Sequence, residues 1–336
     1  MDLWNYCTAG QCREMLLSFR LLGENGWSDE KVLAALYALG EHTERHYSRL
    51  QIPKRNGGTR TLLVPDKLLK NVQRHILQHI LDGRRISSSA AAYHKNASVV
   101  SNAARHTGKP LVLKMDIRDF FGSITFPMVL SHAFSSQYFP PSVGTLLTTL
   151  CCYCDYLPQG APTSPALSNL VMRPFDEYME QWCAQRGITY SRYCDDMTFS
   201  GEFDAKCVRR KVYGYLRAMG FEPNREKTQL LSQGRRQVVT GIVVNEKPQI
   251  SRDYRRNLRR ELYYCEKSGV REHLKRTGDT AYLPRGQAGA IRYLESLLGK
   301  VNYVLSANRE DAWFLAAREQ VKAMLERERL QAAAPS

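Results

Sequence analysis

The sequence predicts an α+β fold: a sheet domain covered by helices, followed by a basic helical region. Three observations carry this reading. Apolar residues recur at helical spacing over residues 30–39, 67–81 and 166–184. Short apolar, β-branched or aromatic runs alternate with them around Leu111, Tyr190 and Val239. Beyond Arg252 only helical patterns remain, over residues 252–276, 285–305 and 310–329.

In chain order, residues 1–50 are expected to form a helical extension. Residues 52–65, IPKRNGGTRTLLVP, read as a strand, a turn on Asn56-Gly57-Gly58 and a second strand. Lys54, Arg55 and Arg60 then ride on a mobile basic flap. Leu111, Val112 and Leu113 form a buried strand that delivers Asp116 at its end. Tyr190, Arg192 and Tyr193 precede a tight turn at Cys194-Asp195-Asp196, and Met197, Thr198 and Phe199 follow it. QVVTGIVVN, from Gln237, is a third β-branched run. Pro248 marks a boundary between residues 51–248 and a helical region over 249–330, and the tail 331–336 is expected to fray.

Composition narrows the class. With 43% hydrophobic and 24% charged residues in 336, the chain can bury real cores, which excludes intrinsic disorder as its main state. No stretch approaches the roughly 18 uninterrupted apolar residues of a membrane span, so no membrane partner is expected. The start is acidic and lacks a basic region followed by an apolar run, which argues against a secretory signal. Nine cysteines without framework spacing fit reduced thiols and a cytoplasmic location. Lys and Arg number 48 against 33 Asp and Glu, and the net +15 points to a polyanion, above all nucleic acid. Residues 235–276 hold 12 basic and 5 acidic side chains, a net of +7 in one-eighth of the chain.

The chemistry centres on three aspartates, Asp116 and the Asp195-Asp196 pair. A bare acidic pair is usually an ordinary solvated turn. Two adjacent acids facing a third from a neighbouring strand need a cation, because close carboxylates repel and take up protons. Hard oxygen donors select Mg²⁺. Two such ions about 3.5–4 Å apart activate a hydroxyl and stabilise a leaving pyrophosphate.

The residues around these aspartates carry a resemblance. Tyr193-Cys194-Asp195-Asp196 has the form YxDD, Leu157 to Pro165 reads LPQGAPTSP, and Asp116 to Phe121 reads DIRDFF. In this order, from about Ile52 to Asn245, they resemble the reverse transcriptases. Asn102-Ala103-Ala104-Arg105-His106 and Val239-Thr240-Gly241 are similar to the NAxxH and VTG elements of retron reverse transcriptases. The resemblance implies a right-hand polymerase, with fingers and a palm built on an antiparallel sheet over 51–248 and a helical thumb over 249–330.

It also implies roles. Asp116, Asp195 and Asp196 would be the catalytic metal-binding carboxylates, with the Ile117 carbonyl beside them. Lys54 and Arg60 would bind the triphosphate of an incoming dNTP, as would Lys227. Gln159 would contact the nucleotide, and Phe121 would exclude a 2′-hydroxyl. Phe120, its neighbour on what reads as a strand, is expected to face the core. Asp119 is expected to point away, and Cys194 to be a small packing residue.

RNA contacts are expected from Asn102, His106, Val239, Thr240 and Gly241, and from a basic helix face of Arg255, Arg256, Arg259 and Arg260. The resemblance implies a cognate noncoding RNA as template, a branched single-stranded DNA product primed from a 2′-hydroxyl, and a role in anti-phage defence with an effector (toxin) protein. A scaffold that sequesters a toxin, or a group II intron-like enzyme, are the alternatives. Cys151-Cys152-x-Cys154 lacks a second ligand pair and reads as buried thiols rather than a zinc site. His75 and His79 lack the HExxH glutamate and read as a helix face near RNA or as packing.

Overall fold

The computed structural model describes residue 4 and residues 7–24, 26–54 and 57–333. In chain order the elements are α1 (Ala9–Ser18), α2 (Asp29–Glu41), β1 (Tyr47–Pro53), β2 (Thr59–Pro65), α3 (Lys67–Ile76), α4 (Val99–Ala104), β3 (Leu111–Ile117), α5 (Phe126–Ala133), α6 (Pro141–Cys151) and α7 (Ser164–Ala184). There follow β4 (Thr189–Tyr193), β5 (Asp196–Gly201), α8 (Ala205–Ala218), β6 (Pro223–Ser232), β7 (Val238–Val239), β8 (Ile242–Val243), α9 (Arg252–Ser268), α10 (Val270–Thr277), α11 (Gly286–Ala307) and α12 (Ala312–Ala333). Among the described residues no helix is long and apolar enough to cross a membrane.

The chain divides into two compact units, Met1–Ala97 with Leu111–Leu230, and Ser98–Pro110 with Leu231–Ser336. The sequence break at Pro248 therefore lies inside the second unit.

The first unit is built on a four-stranded sheet in the order β4-β5-β3-β6. β5 is antiparallel to both β3 and β4. Leu113, Met115, Met197 and Phe199 are buried and join the core that α5, α6 and α7 cover through Val129, Leu147, Leu167 and Phe175. Helices α1 and α2 belong to this core through Leu16, Leu36 and Leu39, with Leu21 from the turn after α1, while Tyr47–Leu50 are already part of strand β1 and not helix. α2 approaches α6 so closely at Gly40 that an added Cβ would lie 2.8 Å from Leu146. α3 starts on an Asp66 cap, whose carboxylate accepts from the Leu69 N–H, and runs into one π-helical turn over Leu77–Leu81. His75 Nδ1 lies 2.8 Å from the Leu21 carbonyl and His79 Nδ1 2.7 Å from that of Phe19, so both serve packing of this helix on the N-terminal segment.

The flap is a two-stranded antiparallel hairpin pairing Pro53 with Thr59 and Ile52 with Arg60. Gly57 and Gly58 adopt φ of +84° and +77°, the left-handed region that glycine enters without steric cost. Arg55 and Asn56 lie outside the described residues. β6 has no counterpart in the sequence reading, because PNREKTQLLS lacks β-branched alternation and lies at the sheet edge.

In the second unit, the run 237–245 is not one strand. β7 and β8 form a minimal hairpin pairing Val239 with Ile242 around Thr240-Gly241, at φ +47° and +84°. Left-handed backbone is uncommon for β-branched Thr240. Its hydroxyl donates to the Val99 carbonyl of α4 at 2.9 Å, which holds the strained residue. The Gly108 N–H donates to the Val244 carbonyl, and Gln237 Nε2 to that of Lys109, so the NAxxH and VTG segments are clasped together.

Both signature side chains of NAxxH are inaccessible. Asn102 is 1% exposed and His106 fully buried, so both side chains lie inside this clasp. Val239 is likewise buried, leaving Thr240 and Gly241 at the surface. Burial, with the charges of Arg105 and Lys109, lowers His106 to about 3. In the unfolded chain a histidine titrates near 6.5, so between these values the unfolded state binds the extra proton. Stability is full above that window and falls as pH drops through it, at up to about 1.4 kcal/mol per pH unit. Thermal melts of the wild type against His106→Gln check this: the acid-side slope flattens in the variant.

The segment read as one helix over 252–276 is two, broken at Gly269 with φ +80°. α9 does not present a uniform basic face. Arg255 donates to Gln249 and lies 4.0 Å from Asp311, and Arg259 stacks on Trp313 and Phe314 at 5.0 and 5.1 Å. Of these four arginines Arg256 and Arg260 are exposed, while Leu258 and Leu262 face the helices packed on α9. α12 extends to Ala333, so residues 331–333 continue a helix; Ala334, Pro335 and Ser336 lie outside the described residues.

Candidate active site

Strand register brings the three aspartates together. β3 and β5 pair Asp116 with Asp196, and the Ile117 N–H donates to the Asp195 carbonyl at 3.2 Å. Tyr193 pairs with Asp196 across a two-residue turn, so Cys194 and Asp195 form the tip. Cys194 adopts φ +62°, unusual for a residue with a side chain.

Two side-chain hydrogen bonds hold that tip, one of them backed by a buried ion pair. Arg192, fully buried, forms an ion pair with the buried Asp176 of α7 at 2.6 Å, and its Nη1 donates to the Cys194 carbonyl at 2.9 Å. Asn169 accepts from Arg192 Nη2 and donates to the Ala92 carbonyl. Tyr93 donates its hydroxyl proton to Cys194 Sγ at 2.8 Å. Burial above all raises the Cys194 thiol to about 12, so it packs and does not attack.

Electrostatically the site favours a cation. Desolvation first, then the Asp116 charge, raises Asp195 above the usual carboxylate range. Desolvation also raises Asp196, against the pull of Lys114. Lys227 Nζ sits 2.9 Å from Asp116 Oδ1, and Asn224 Nδ2 donates to Asp116 Oδ2 at 3.1 Å. The Lys227–Asp116 hydrogen bond raises the lysine. Both residues come from β6. Among the described residues no trio of His, Cys, Asp or Glu is gathered into a finished ligand cluster. The donor chemistry fits hard divalent ions nonetheless: three carboxylates at adjacent strand ends, with Asp195 and Asp196 destabilised as anions and a cationic ammonium already on Asp116.

The aspartates open into a cleft of about 990 Å³ lined also by Lys54, Arg60, Phe121, Gln159 and Lys227, which unites every expected dNTP contact. Lys54 and Arg60 reach it from the hairpin. Gln159 reaches it from the LPQG loop, whose position is fixed by the Leu63 N–H donating to the Gln159 carbonyl at 2.8 Å. Gly160, at φ +128°, lies so near β2 that an added Cβ would be 2.7 Å from the Leu63 carbonyl oxygen. Ser164 closes the loop by donating to the Pro158 carbonyl.

Three expectations need correction. Phe120 and Phe121 lie in a turn after β3, not on a strand. Their roles still divide: Phe120 is 4% exposed against Phe221, while half-buried Phe121 borders the cleft near Tyr93. Asp119 does not point away; at φ +42° it lines the cleft above Gly122. Of the CCxC thiols, Cys151 and Cys152 are buried but Cys154 is exposed. Tyr93, Tyr156, Asn224 and the Arg192–Asp176 pair carried no motif, and only the folded chain brings them to the site or its support.

Comparison with known proteins agrees with this geometry. The family described as "Reverse transcriptase (RNA-dependent DNA polymerase)" matches residues 52–271. The retron Ec86 reverse transcriptase of Escherichia coli is 33% identical over 221 residues, 64% of this chain and 69% of that one. The chain belongs to the reverse transcriptase family, in its retron branch. The retron Mx65 reverse transcriptase of Myxococcus xanthus is 37% identical over 238 residues, 65% of this chain. The match spans 56% of that relative's length, and 60% of the retron Mx162 enzyme's. A solved structure of apo telomerase from Candida tropicalis covers 84% of this chain and 58% of its own at a TM-score of 0.52 and 13% identity, a likeness of fold. The right-hand polymerase architecture expected of a reverse transcriptase accords with the mixed helix and antiparallel sheet seen here.

Proposed function

We propose that this chain is an RNA-directed DNA polymerase that copies part of a cognate retron noncoding RNA into branched single-stranded DNA. The observation that carries this is the register pairing of Asp116 with Asp196, with Asp195 at the adjoining turn, at the floor of a cleft rimmed by Lys54 and Arg60. In the transfer, a primer hydroxyl oxygen bonds to the α-phosphorus of a dNTP, the α–β phosphoanhydride bond breaks, and pyrophosphate leaves. Asp116, Asp195, Asp196 and the Ile117 carbonyl would hold two Mg²⁺, which supply hydroxyl activation and charge neutralisation. Lys54 and Arg60 close over the triphosphate and offset its charge. Lys227 exchanges its Asp116 contact for phosphate when the cleft fills. Gln159 orients the nucleotide. The sheet and its helices act as palm, the β1–β2 hairpin as part of the fingers, and α9–α12 as thumb.

The family and the retron relatives support the copying of RNA; the branched product, a defence role and a toxin-like effector follow from the same resemblance. The direct test is to supply the purified chain with its noncoding RNA, dNTPs and Mg²⁺ and look for DNA on a sequencing gel. No extension on cognate or generic templates would sink the reading.

Phe121 supplies a second check. A flat ring bordering the cleft leaves no volume beneath the sugar for a 2′-hydroxyl. Phe121→Ala is expected to raise ribonucleotide use relative to deoxynucleotide by about tenfold or more, a loss of roughly 1.4 kcal/mol of discrimination. Single-nucleotide incorporation assays read the ratio, and an unchanged ratio removes Phe121 from that role.

A further inference from the structure

Helix α8 carries a charge pattern that the catalytic cleft does not use. From Ala205 to Phe221 there are five basic residues and no acidic one. Lys206, Arg209, Arg210, Lys211 and Arg217 lie on its outer side, while Val208, Val212 and Leu216 are buried against the core. Arg186, at the end of α7, adds a sixth cation. Among the described residues none of these six has a carboxylate within ion-pair distance. Aromatic rings lie beneath two of them: the Arg186 guanidinium is 4.3 Å from the Trp182 ring centre and the Lys211 ammonium 5.3 Å from that of Tyr178. Such stacking pre-orders cations that would otherwise sweep freely through solvent.

Charge alone would describe a solvated helix face. Gly214 distinguishes this one. It sits in the exposed interior of α8, where glycine weakens a helix relative to alanine. Packing does not demand it, since an added Cβ would meet nothing within 4 Å. It opens a notch where two shallow surface depressions of about 470 Å³ each adjoin, both lined by Arg210 and Gly214. A missing side chain flanked by cations lets a ligand backbone approach the helix closely. The partner with dense, regularly spaced negative charge and a narrow backbone is a nucleic acid strand.

We propose that the outer face of α8, with Arg186, is a second RNA-binding surface, separate from the polymerase cleft, that grips the ribose-phosphate backbone of the template RNA beyond the stretch being copied. It rests on the reading of the chain as an RNA-copying polymerase for the identity of the polyanion. Phosphate contacts of this kind supply affinity without reading sequence. The surface therefore sets how firmly a long, folded RNA is held, while a short template–primer ignores it.

The test uses the full chain, a fluorescently labelled cognate noncoding RNA, and a short RNA–DNA template–primer that occupies the cleft alone. The Lys206→Gln/Arg210→Gln variant is expected to bind the long RNA about tenfold more weakly, with the slope of log affinity on log salt reduced by about 2. Its extension of the short template–primer stays at the wild-type rate. Gly214→Ala is expected to raise the melting temperature and still weaken long-RNA binding, a combination that a merely structural glycine does not produce. RNA is also expected to slow alkylation of the exposed Cys207 in the groove, read by peptide mass spectrometry. Wild-type affinity and salt slope in the double variant, or a Cys207 alkylation rate indifferent to RNA, would overturn the proposal. Failure of extension on the short template–primer by the wild type would instead count against the polymerase reading.

Discussion

Asn substitution of Asp195 and Asp196 together is expected to lower DNA synthesis by at least about a thousandfold, some 4 kcal/mol of barrier, while making the metal-free chain more stable. The two effects have one cause. Both carboxylates are raised by desolvation, and Asp195 also by the Asp116 charge, so the folded state resists carrying them as anions. Asn keeps the shape and removes the repulsion. A gain of about 1 kcal/mol moves the melting temperature by roughly 2–4 °C in a domain of this size. Mg²⁺ or Mn²⁺ should reverse the ranking, because an ion that binds only the folded wild type adds about 2.7 kcal/mol at a hundredfold its dissociation constant. Melting curves with chelator and with metal, run beside primer extension, read both halves. A variant that still polymerises, or that melts lower than wild type in chelator, contradicts this account of the site.

The largest effect on stability is expected away from the cleft, at Arg192. Its guanidinium and the Asp176 carboxylate are both fully buried and joined at 2.6 Å. Arg192→Met strands a buried carboxylate, which costs about 3–5 kcal/mol. The combined Arg192→Met/Asp176→Leu exchange removes both charges and recovers most of that stability, as apolar replacements of buried ion pairs often do. It does not restore the donor to the Cys194 carbonyl, so the turn bearing Asp195 loses an anchor. Near-normal denaturant midpoints with strongly reduced turnover in the double variant would separate positioning from folding. Full activity would show that Tyr93 and the strand register hold the turn unaided.

Much of the site was legible because its residues lie in short contiguous motifs. The run ending at Asp116, the Tyr193-Cys194-Asp195-Asp196 turn and the LPQG loop each announce a local shape, and residues of all three line one cleft. Illegible features had weak local signals. β6 is polar and sits at the sheet edge, so its backbone pairing, not its side chains, makes it a strand. With it came the contacts of Asn224 and Lys227 to Asp116. Arg192 and Asp176 are sixteen residues apart, on a strand and a helix, and either alone reads as a surface charge. The arginines of α9 misled for the opposite reason: helical spacing shows a stripe, but not that Trp313 and Asp311 would cover half of it.

Residue order alone announces three carboxylates in short motifs, a basic hairpin, the LPQG loop and helices with an amphipathic face. These depend on backbone sterics and on spacings of two and 3.6 residues, which act over a few positions. Tertiary structure decides which charges are buried, which cations remain available, and which distant segments meet, as NAxxH and VTG do around Thr240. Those outcomes depend on desolvation and on partners brought near by the whole chain, and neither is a property of any short stretch of it.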